Sequence, residues 1–526
     1  MKHPYKKVLL IILDGFGLAP AGPSNAILKA GMTYLNSLID RYTAYSLIAS
    51  GLIVGLPWGK FGNSEVGHSA IGTGRILVQD WARINTDIKQ GVFLENPALI
   101  QALDHCKKNN SALHIVGCFS PGGIHSHEDH LFAILNFAAK NLFSNVFLHL
   151  ITDGEDAAPT ESLASLERLE PLLKKSGARI ASVIGRSYGM DRVFNWDLTE
   201  QAWKVMVKGE GPTTENVREY LQASHAKKQF DDEIIPAVVT EKGTPIKTIA
   251  SNDAVIFFNF RNDRMKQLVA SFTLGDEFTG FTRKDRPENL FIVTMTRYSV
   301  NLSVQAIAYD IPAIANTLSD LVSQAGMKQV RIAEKEKEAH VTNFFNGGRL
   351  EPNQGETRMI MTSKQIKGNQ IVDYPAMSAA DIVKTVIEQL EGDASLYVIN
   401  FANADMTAHT GKIDATIKGL QVIDESLKQI IEKVRTHDDY VAVITCDHGN
   451  SEELLDPLTG GPDTQHSTNN VPVIFIAKEF ETASPGNNLE ALADEKPMGS
   501  LIDIAPSVLV LLGLPKPKDM TGSSLI

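Results

Sequence analysis

Cysteine is scarce in this chain of 526 residues: Cys106, Cys118 and Cys446 are the whole supply, an odd number with no CxxC spacing. That excludes a disulfide-stapled scaffold and a zinc ribbon, and it points to a reducing compartment, the cytoplasm. Long hydrophobic runs are missing as well. VLLIIL near the start ends at Asp14, and VLVLLGL near the C-terminus is just as short, so neither reaches the roughly 20 apolar residues of a membrane span. The first is too brief for a signal-peptide core and reads as a buried strand. Basic charge is in deficit, with 50 Lys and Arg against 62 Asp and Glu and a formal net charge of -12. This excludes a nonspecific nucleic-acid binder, and an anionic ligand would need a local positive site. What is present is globular: 43% hydrophobic and 21% charged residues, in a chain long enough for two domains or more.

The stretch KFGNSEVGHSAIGTG, residues 60–74, organises the rest. Asn63, Ser64, Glu65 and Val66 read as a helix start, with Gly62 giving the preceding loop its freedom. A helix N-terminus offers unpaired N–H groups and partial positive charge, which suits a phosphate arriving on a serine. Ser64 is the candidate nucleophile, against the plainer reading that it only caps the helix.

Before it, Lys7 to Leu13 is the continuous apolar run of a strand covered on both faces, with Asp14 at its carboxyl end, where ligands gather in open α/β sheets. Locally Asp14 reads equally well as a turn residue before Gly15. A linker is expected over 76–84. Residues 85–305 then alternate strand-like runs, ALHIVGCFS, NVFLHLITD, ARIASVIG and AVIFFNF, with helical patterns, and make a second α/β unit. These strands end in GGIHSHEDH, DGEDAAP, GRSYGMDR and NFRNDR, which puts His125, Asp156, Arg186, Arg192, Arg261 and Arg264 on one rim. Converging guanidinium groups grip phosphate and carboxylate with paired hydrogen bonds; taken singly, each arginine reads as half of a surface salt bridge. Residues 204–250 read as polar, helical support.

A third pattern starts near 310. Lys337 stands among Glu334, Glu336 and Glu338, and locally reads as part of a solvated face. After the strand SLYVINF, Asp405 and His409 are four residues apart, on one face of a helical turn. The strand YVAVITC leads to Asp447 and His448, and His466 precedes the strand VPVIFIA. Three aspartates and three histidines at strand ends suggest two divalent metals: Asp405, His409 and His466 for one, and Asp14, Asp447, His448 and the Ser64 oxygen for the other. Mixed carboxylate and imidazole ligation suits manganese or zinc. Such a pair can hold Ser64 as an alkoxide and neutralise a phosphoryl group.

The segments VLLIILDGFG, GNSEVGHSAIGTGR, GGIHSHEDHL, NFRNDR, RIAEKEKEAHVT, NFANADMTAHTG, TCDHGN and LIDIAPSVLVLLG run through essentially the whole chain. In this order they resemble the cofactor-independent (2,3-bisphosphoglycerate-independent) phosphoglycerate mutases of the alkaline phosphatase-like superfamily. The resemblance implies an α/β fold in which a discontinuous metal-binding domain, 1–78 and 310–526, is split by an inserted α/β transferase domain, 79–309. It implies interconversion of 3-phosphoglycerate and 2-phosphoglycerate through a phosphoserine at Ser64, with two divalent ions, manganese expected, and no 2,3-bisphosphoglycerate. A metal-dependent phosphomonoesterase, or a mutase of another phosphorylated metabolite, is the alternative. The metal ligands would be Asp14, Ser64, Asp405, His409, Asp447, His448 and His466. Substrate would meet His125, Glu155, Asp156, Arg186, Arg192, Arg261, Arg264 and Lys337, in a cytoplasmic monomer with no nucleic-acid or membrane partner. One departure stands out. Where the family reads DGRD, this chain has Asp153, Gly154, Glu155 and Asp156, so Glu155 either points away from the substrate and pairs with a neighbouring arginine, the reading favoured here, or faces a substrate that differs from the family's.

Overall fold

The structure, a computed structural model, describes residues 4–56, 59–299, 301–310, 314–362, 370–456, 459–482 and 486–526. The chain divides into two compact units, one made of Met1–Gln79 with Pro312–Ile526 and the other of Asp80–Ile311.

In the first unit the strand Lys7–Leu13 is buried along its whole length, as a run apolar on both faces must be. It lies between Leu396–Phe401 and Tyr440–Thr445 and is parallel to both. Gln329–Glu334 and then Glu356–Met361 extend the sheet on the Leu396 side, again in parallel. On the other side Val471–Ile476 runs antiparallel to both of its neighbours, Tyr440–Thr445 and Thr43–Ile48. Strand register decides where the loops emerge. Leu13 pairs with Phe401 and Ile12 with Thr445, so the segments carrying Asp14, Asp405 and Asp447 all leave the sheet at one edge. The antiparallel strand enters at that same edge, which brings along the loop containing His466. Behind the sheet, the 22-residue helix Ile413–Val434 buries Leu420, Ile423, Leu427, Ile430, Ile431 and Val434, a stripe at helical spacing.

In the second unit Leu113–Cys118 lies between Ala254–Phe257 and Val146–Thr152, with Arg179–Gly185 beyond, all parallel. Their carboxyl ends share one edge, where the sequence puts its polar clusters. Two expectations need correction here. The linker is shorter than 76–84, because Asp80–Gln90 is helical, with an acid in the first turn and a lysine in the last to suit the helix dipole. The stretch 204–250 is not only helical, because Ala237–Glu241 adds an antiparallel strand beside Arg179–Gly185. The run AVVTE is β-branched and mostly buried, which outweighs the polarity around it. Among the described residues no helix is long and apolar enough to cross a membrane.

Candidate active site

Ser64 opens the helix Ser64–Thr73, but it does not cap it. Asn63 does, its side chain accepting a hydrogen bond from the Val66 N–H at 2.9 Å, so the Ser64 hydroxyl is left for other partners. Close approach requires the flanking glycines. A Cβ on Gly67 would fall 2.3 Å from the Asp447 carbonyl oxygen, and one on Gly62 would fall 2.7 Å from the His448 Cβ. The helix start is thereby pressed against the loop that carries Asp447 and His448.

Ser64 is 6% exposed. Its Oγ lies 3.1 Å from Asp14 Oδ1 and 2.9 Å from His448 Nε2, and it accepts a hydrogen bond from Lys337 Nζ at 2.9 Å. Lys337 also donates to Asp14 Oδ1 at 2.6 Å and to Asp405 Oδ2 at 2.7 Å. The solvated-face reading of Lys337 is therefore corrected: its ammonium is bonded to Asp14 and Asp405, which are distant in the sequence, and it is 4% exposed.

Around these groups the ligand candidates converge. Asp405 Oδ1, His409 Nε2 and His466 Nε2 are mutually close, at 3.3, 3.4 and 3.1 Å. Asp14, Asp447 and His448 offer ligand atoms within 4.8 Å of one another, and so do Asp405, His448 and His466. His448 therefore faces both groups, where the sequence placed it with one. Among the described residues Asp447 Oδ2 is buried with no hydrogen bond of good geometry, His68 Nδ1 standing 3.1 Å from it, an arrangement that a cation would improve. Three carboxylates and three imidazoles brought into two such groups fit divalent metal.

The charges are coupled. Burial opposes ionisation of Asp14, but the Lys337 ammonium and His448 outweigh it and hold the carboxyl well below its usual range. Asp405 is held down likewise, by Lys337, His409 and His466 against burial. Burial opposes a charged Lys337, yet Asp14, Asp405 and Asp447 together raise its pKa. His448, also buried, is pushed up to about 9 by Asp447 and Asp14. Without metal, then, Lys337 and His448 carry positive charge that partly offsets the three carboxylates of this pocket.

Several supporting residues escaped the sequence reading, because their partners are distant in the chain. His68 Nδ1 lies 3.1 Å from Asp447 Oδ2, while its hydrogen bond goes to the Ser64 carbonyl oxygen at 2.9 Å. Asn400 Nδ2 donates to Asp14 Oδ2 at 2.8 Å, and Asn450 Nδ2 donates to Asp405 Oδ1 at 2.8 Å. Glu452, 1% exposed, accepts from the backbone N–H of Gly17 at 3.0 Å and of Asn450 at 2.9 Å, from Asn469 Nδ2 at 3.0 Å, and from the Ser467 hydroxyl. One carboxylate thus ties together the loops that bear Asp14, Asp447 with His448, and His466.

In the second unit the arginines are linked through acids. Arg186, 2% exposed, meets Asp153, Asp156 at 2.6 Å and Glu155 at 2.9 Å, and Arg264 meets Glu155 at 3.5 Å. Asp263 meets Arg192 at 2.8 Å, Arg261 at 3.4 Å and His125 at 3.4 Å; His125 also faces Asp156 at 3.8 Å. All of the expected residues of this rim belong to one connected cluster. Glu155 turns to the arginines, and Asp153 and Asp263, which the sequence reading passed over, hold the cluster together. Gly154, at φ 75°, makes the turn, and Asp153 Oδ1 accepts from the Asp156 N–H at 3.1 Å.

Comparison with known proteins bears on both units. Residues 84–300 match the family model described as BPG-independent PGAM N-terminus. The chain is 40% identical over 523 residues to the 2,3-bisphosphoglycerate-independent phosphoglycerate mutase of Clostridium beijerinckii, with 99% of each chain covered. It is 41% identical over 522 residues to that of Clostridium novyi, again with 99% of each covered. Among solved structures, a phosphoglycerate mutase of Leishmania mexicana at low cobalt concentration matches with a TM-score of 0.72 and 28% identity, over 99% of this chain and 98% of that one.

Proposed function

The chain belongs to the 2,3-bisphosphoglycerate-independent phosphoglycerate mutases, and from that premise we propose that it interconverts 3-phosphoglycerate and 2-phosphoglycerate through a phosphoserine on Ser64. The observation that carries the proposal is the Ser64 hydroxyl itself, buried at a helix start with Asp14, His448 and Lys337 on it.

Asp405, His409 and His466 would hold one divalent ion, and Asp14, Asp447, His448 and Ser64 Oγ a second; we take both to be manganese, with zinc as the alternative. When bound, the ions supply Lewis-acid stabilisation of charge on the phosphoryl group. The chain's own groups account for the rest. Ser64 Oγ bonds to phosphorus as the ester bond to the glycerate oxygen breaks, and that oxygen takes up the proton that Ser64 has given up. Lys337, whose Nζ is 2.9 Å from Ser64 Oγ, favours the oxyanion form, and so does the positive end of the helix dipole at Ser64. The other glycerate hydroxyl then attacks the phosphoserine, the Ser64–phosphorus bond breaks, and Ser64 recovers a proton. Because Ser64 stores the phosphoryl group, no 2,3-bisphosphoglycerate is required.

Substrate binding is assigned to His125, Asp156, Arg186, Arg192, Arg261 and Arg264, with Glu155 among them as the partner of Arg186 and Arg264, and to Lys337 beside Ser64. Retention matters chemically: a lost glycerate leaves water as the acceptor and turns the mutase into a phosphatase. We place the enzyme in the cytoplasm as a monomer. The free, buried state of Cys106, Cys118 and Cys446 suits a reducing compartment.

The test is incubation of the manganese-loaded chain with 3-phosphoglycerate, followed by product identification. The proposal expects 2-phosphoglycerate. Free phosphate without isomerisation would instead identify a phosphomonoesterase.

A further inference from the structure

Three carboxylates meet Arg186, and they are not equivalent. Asp153 is 3% exposed and Asp156 19%, whereas Glu155 is 45% exposed. The Asp153 carboxylate is also committed elsewhere, accepting from the Asp156 N–H at 3.1 Å and from the Ser120 hydroxyl. Glu155 has no such anchor: its contacts are Arg186 Nη2 at 2.9 Å and Arg264 Nη2 at 3.5 Å. It is the long, half-exposed acid of the set, and rotation about its side chain carries it into water at little expense.

The charge balance gives this a consequence. Arg186, Arg192, Arg261 and Arg264 face Asp153, Glu155, Asp156 and Asp263, four guanidinium groups against four carboxylates. His125 adds no charge at neutral pH, because burial holds it down to about 4. The cluster is therefore neutral as it stands, and an arriving anion finds Arg264 and one edge of Arg186 already satisfied.

We propose that Glu155 is a displaceable internal anion: it occupies Arg186 and Arg264 in the absence of ligand and yields them to the anionic end of the substrate. The site then discriminates by charge. An anion must outcompete a carboxylate already tethered in place, so weakly charged ligands are rejected, and a ligand held at a second point, as a phosphorylated hydroxy acid is, gains entry. This inference rests on the reading that the cluster binds the glycerate portion of phosphoglycerate.

The experiment is calorimetric titration of 3-phosphoglycerate into the full chain carrying Ser64→Ala, which prevents turnover, at fixed low ionic strength. An ion pair whose carboxylate is half-exposed is worth about 1 kcal/mol, or about fivefold in Kd. Glu155→Gln is expected to tighten binding about fivefold, with a parallel fall of KM in the chain that retains Ser64. Glu155→Asp keeps the charge but draws it back by one methylene, and it is expected to tighten binding by a smaller factor. Unchanged or weaker binding in Glu155→Gln overturns the inference. So does a gain in Glu155→Gln with none in Glu155→Asp, which would make Glu155 a distant repulsive charge and not an occupant of the arginines. If 3-phosphoglycerate binds none of the chains, the functional reading falls by itself, and the same comparison with sulfate and the metal-free chain decides the role of Glu155.

Discussion

Lys337 Nζ stands 2.6 Å from Asp14 Oδ1, a buried pair whose partners are 323 residues apart in the chain. The same ammonium reaches Asp405 at 2.7 Å, so it neutralises residues from both ligand groups. Removing one partner of a buried ion pair leaves uncompensated charge and costs roughly 3–5 kcal/mol. Lys337→Met is expected to destabilise the metal-free chain by about that amount, and by clearly less in saturating manganese, which supplies positive charge to the same carboxylates. Thermal and denaturant unfolding, with and without chelator, measure both numbers. An equal loss in the two conditions would mean that Lys337 and metal do not share those carboxylates.

Metal itself is the subject of the second expectation. Asp14, Asp405 and Asp447 are all buried, and among the described residues Asp447 Oδ2 has no hydrogen bond of good geometry. Exhaustive chelation is expected to abolish turnover, and readdition of manganese to restore it. Undiminished activity in a sample shown by elemental analysis to be metal-free would contradict the ligand assignment.

Glu452 touches no ligand atom and holds three ligand-bearing loops. In Glu452→Gln one of its two acceptors becomes a donor aimed at groups that already donate, among them Gly17 N–H and Asn450 N–H. Loss of an outer partner of this kind typically costs 10- to 100-fold in metal affinity, and a loss in that range is expected for manganese. Equilibrium dialysis reads it without reference to turnover, and affinity within twofold of the parent chain would remove Glu452 from the positioning role.

Acid is expected to weaken the second unit first through its buried histidines. Burial lowers His130 from 6.5 to about 3, with His127 adding to the effect, and among the described residues neither of its ring nitrogens has a hydrogen-bond partner. A histidine depressed in the folded state contributes stability that is fully present above its unfolded pKa and lost as pH falls toward the folded value. The unfolded chain takes up a proton near pH 6.5 and the folded chain does not, so between about pH 6 and 4 this residue weakens the fold by about 1.4 kcal/mol per pH unit. His130→Leu should flatten the pH dependence of unfolding by that slope. An unchanged slope in the variant would show that His130 is not held neutral.

The parts of the molecule that could be read from sequence are those whose signal is local. Lys7–Leu13 declares itself by its continuous apolar run, which the fold buries, and Asp14, Asp405, Asp447 and His448 are legible because each stands within a few residues of the end of such a run. The arginines were legible for the same reason. What could not be read depends on partners far away in the chain. Lys337 looks solvated beside Glu336 and Glu338 until the fold carries it to Asp14. Glu452 and His68 sit inside or beside recognisable motifs without any periodicity to mark them. Asp263 lies between Arg261 and Arg264, yet its bond to Arg192 spans 71 positions. The strand Ala237–Glu241 was hidden because its burial comes from the neighbouring strand Arg179–Gly185 and not from its own flanks.

We place Ser64 at the centre, as the carrier of the phosphoryl group between the two hydroxyls of the glycerate. The most direct test mixes manganese-loaded chain with 3-phosphoglycerate labelled in its phosphate, quenches in acid during turnover, and maps the label by peptide mass spectrometry. Label is predicted on Ser64, and in Ser64→Ala neither label nor isomerisation in a chain that keeps its fold. Continued isomerisation by Ser64→Ala, or label on another residue in the parent chain, would contradict this role.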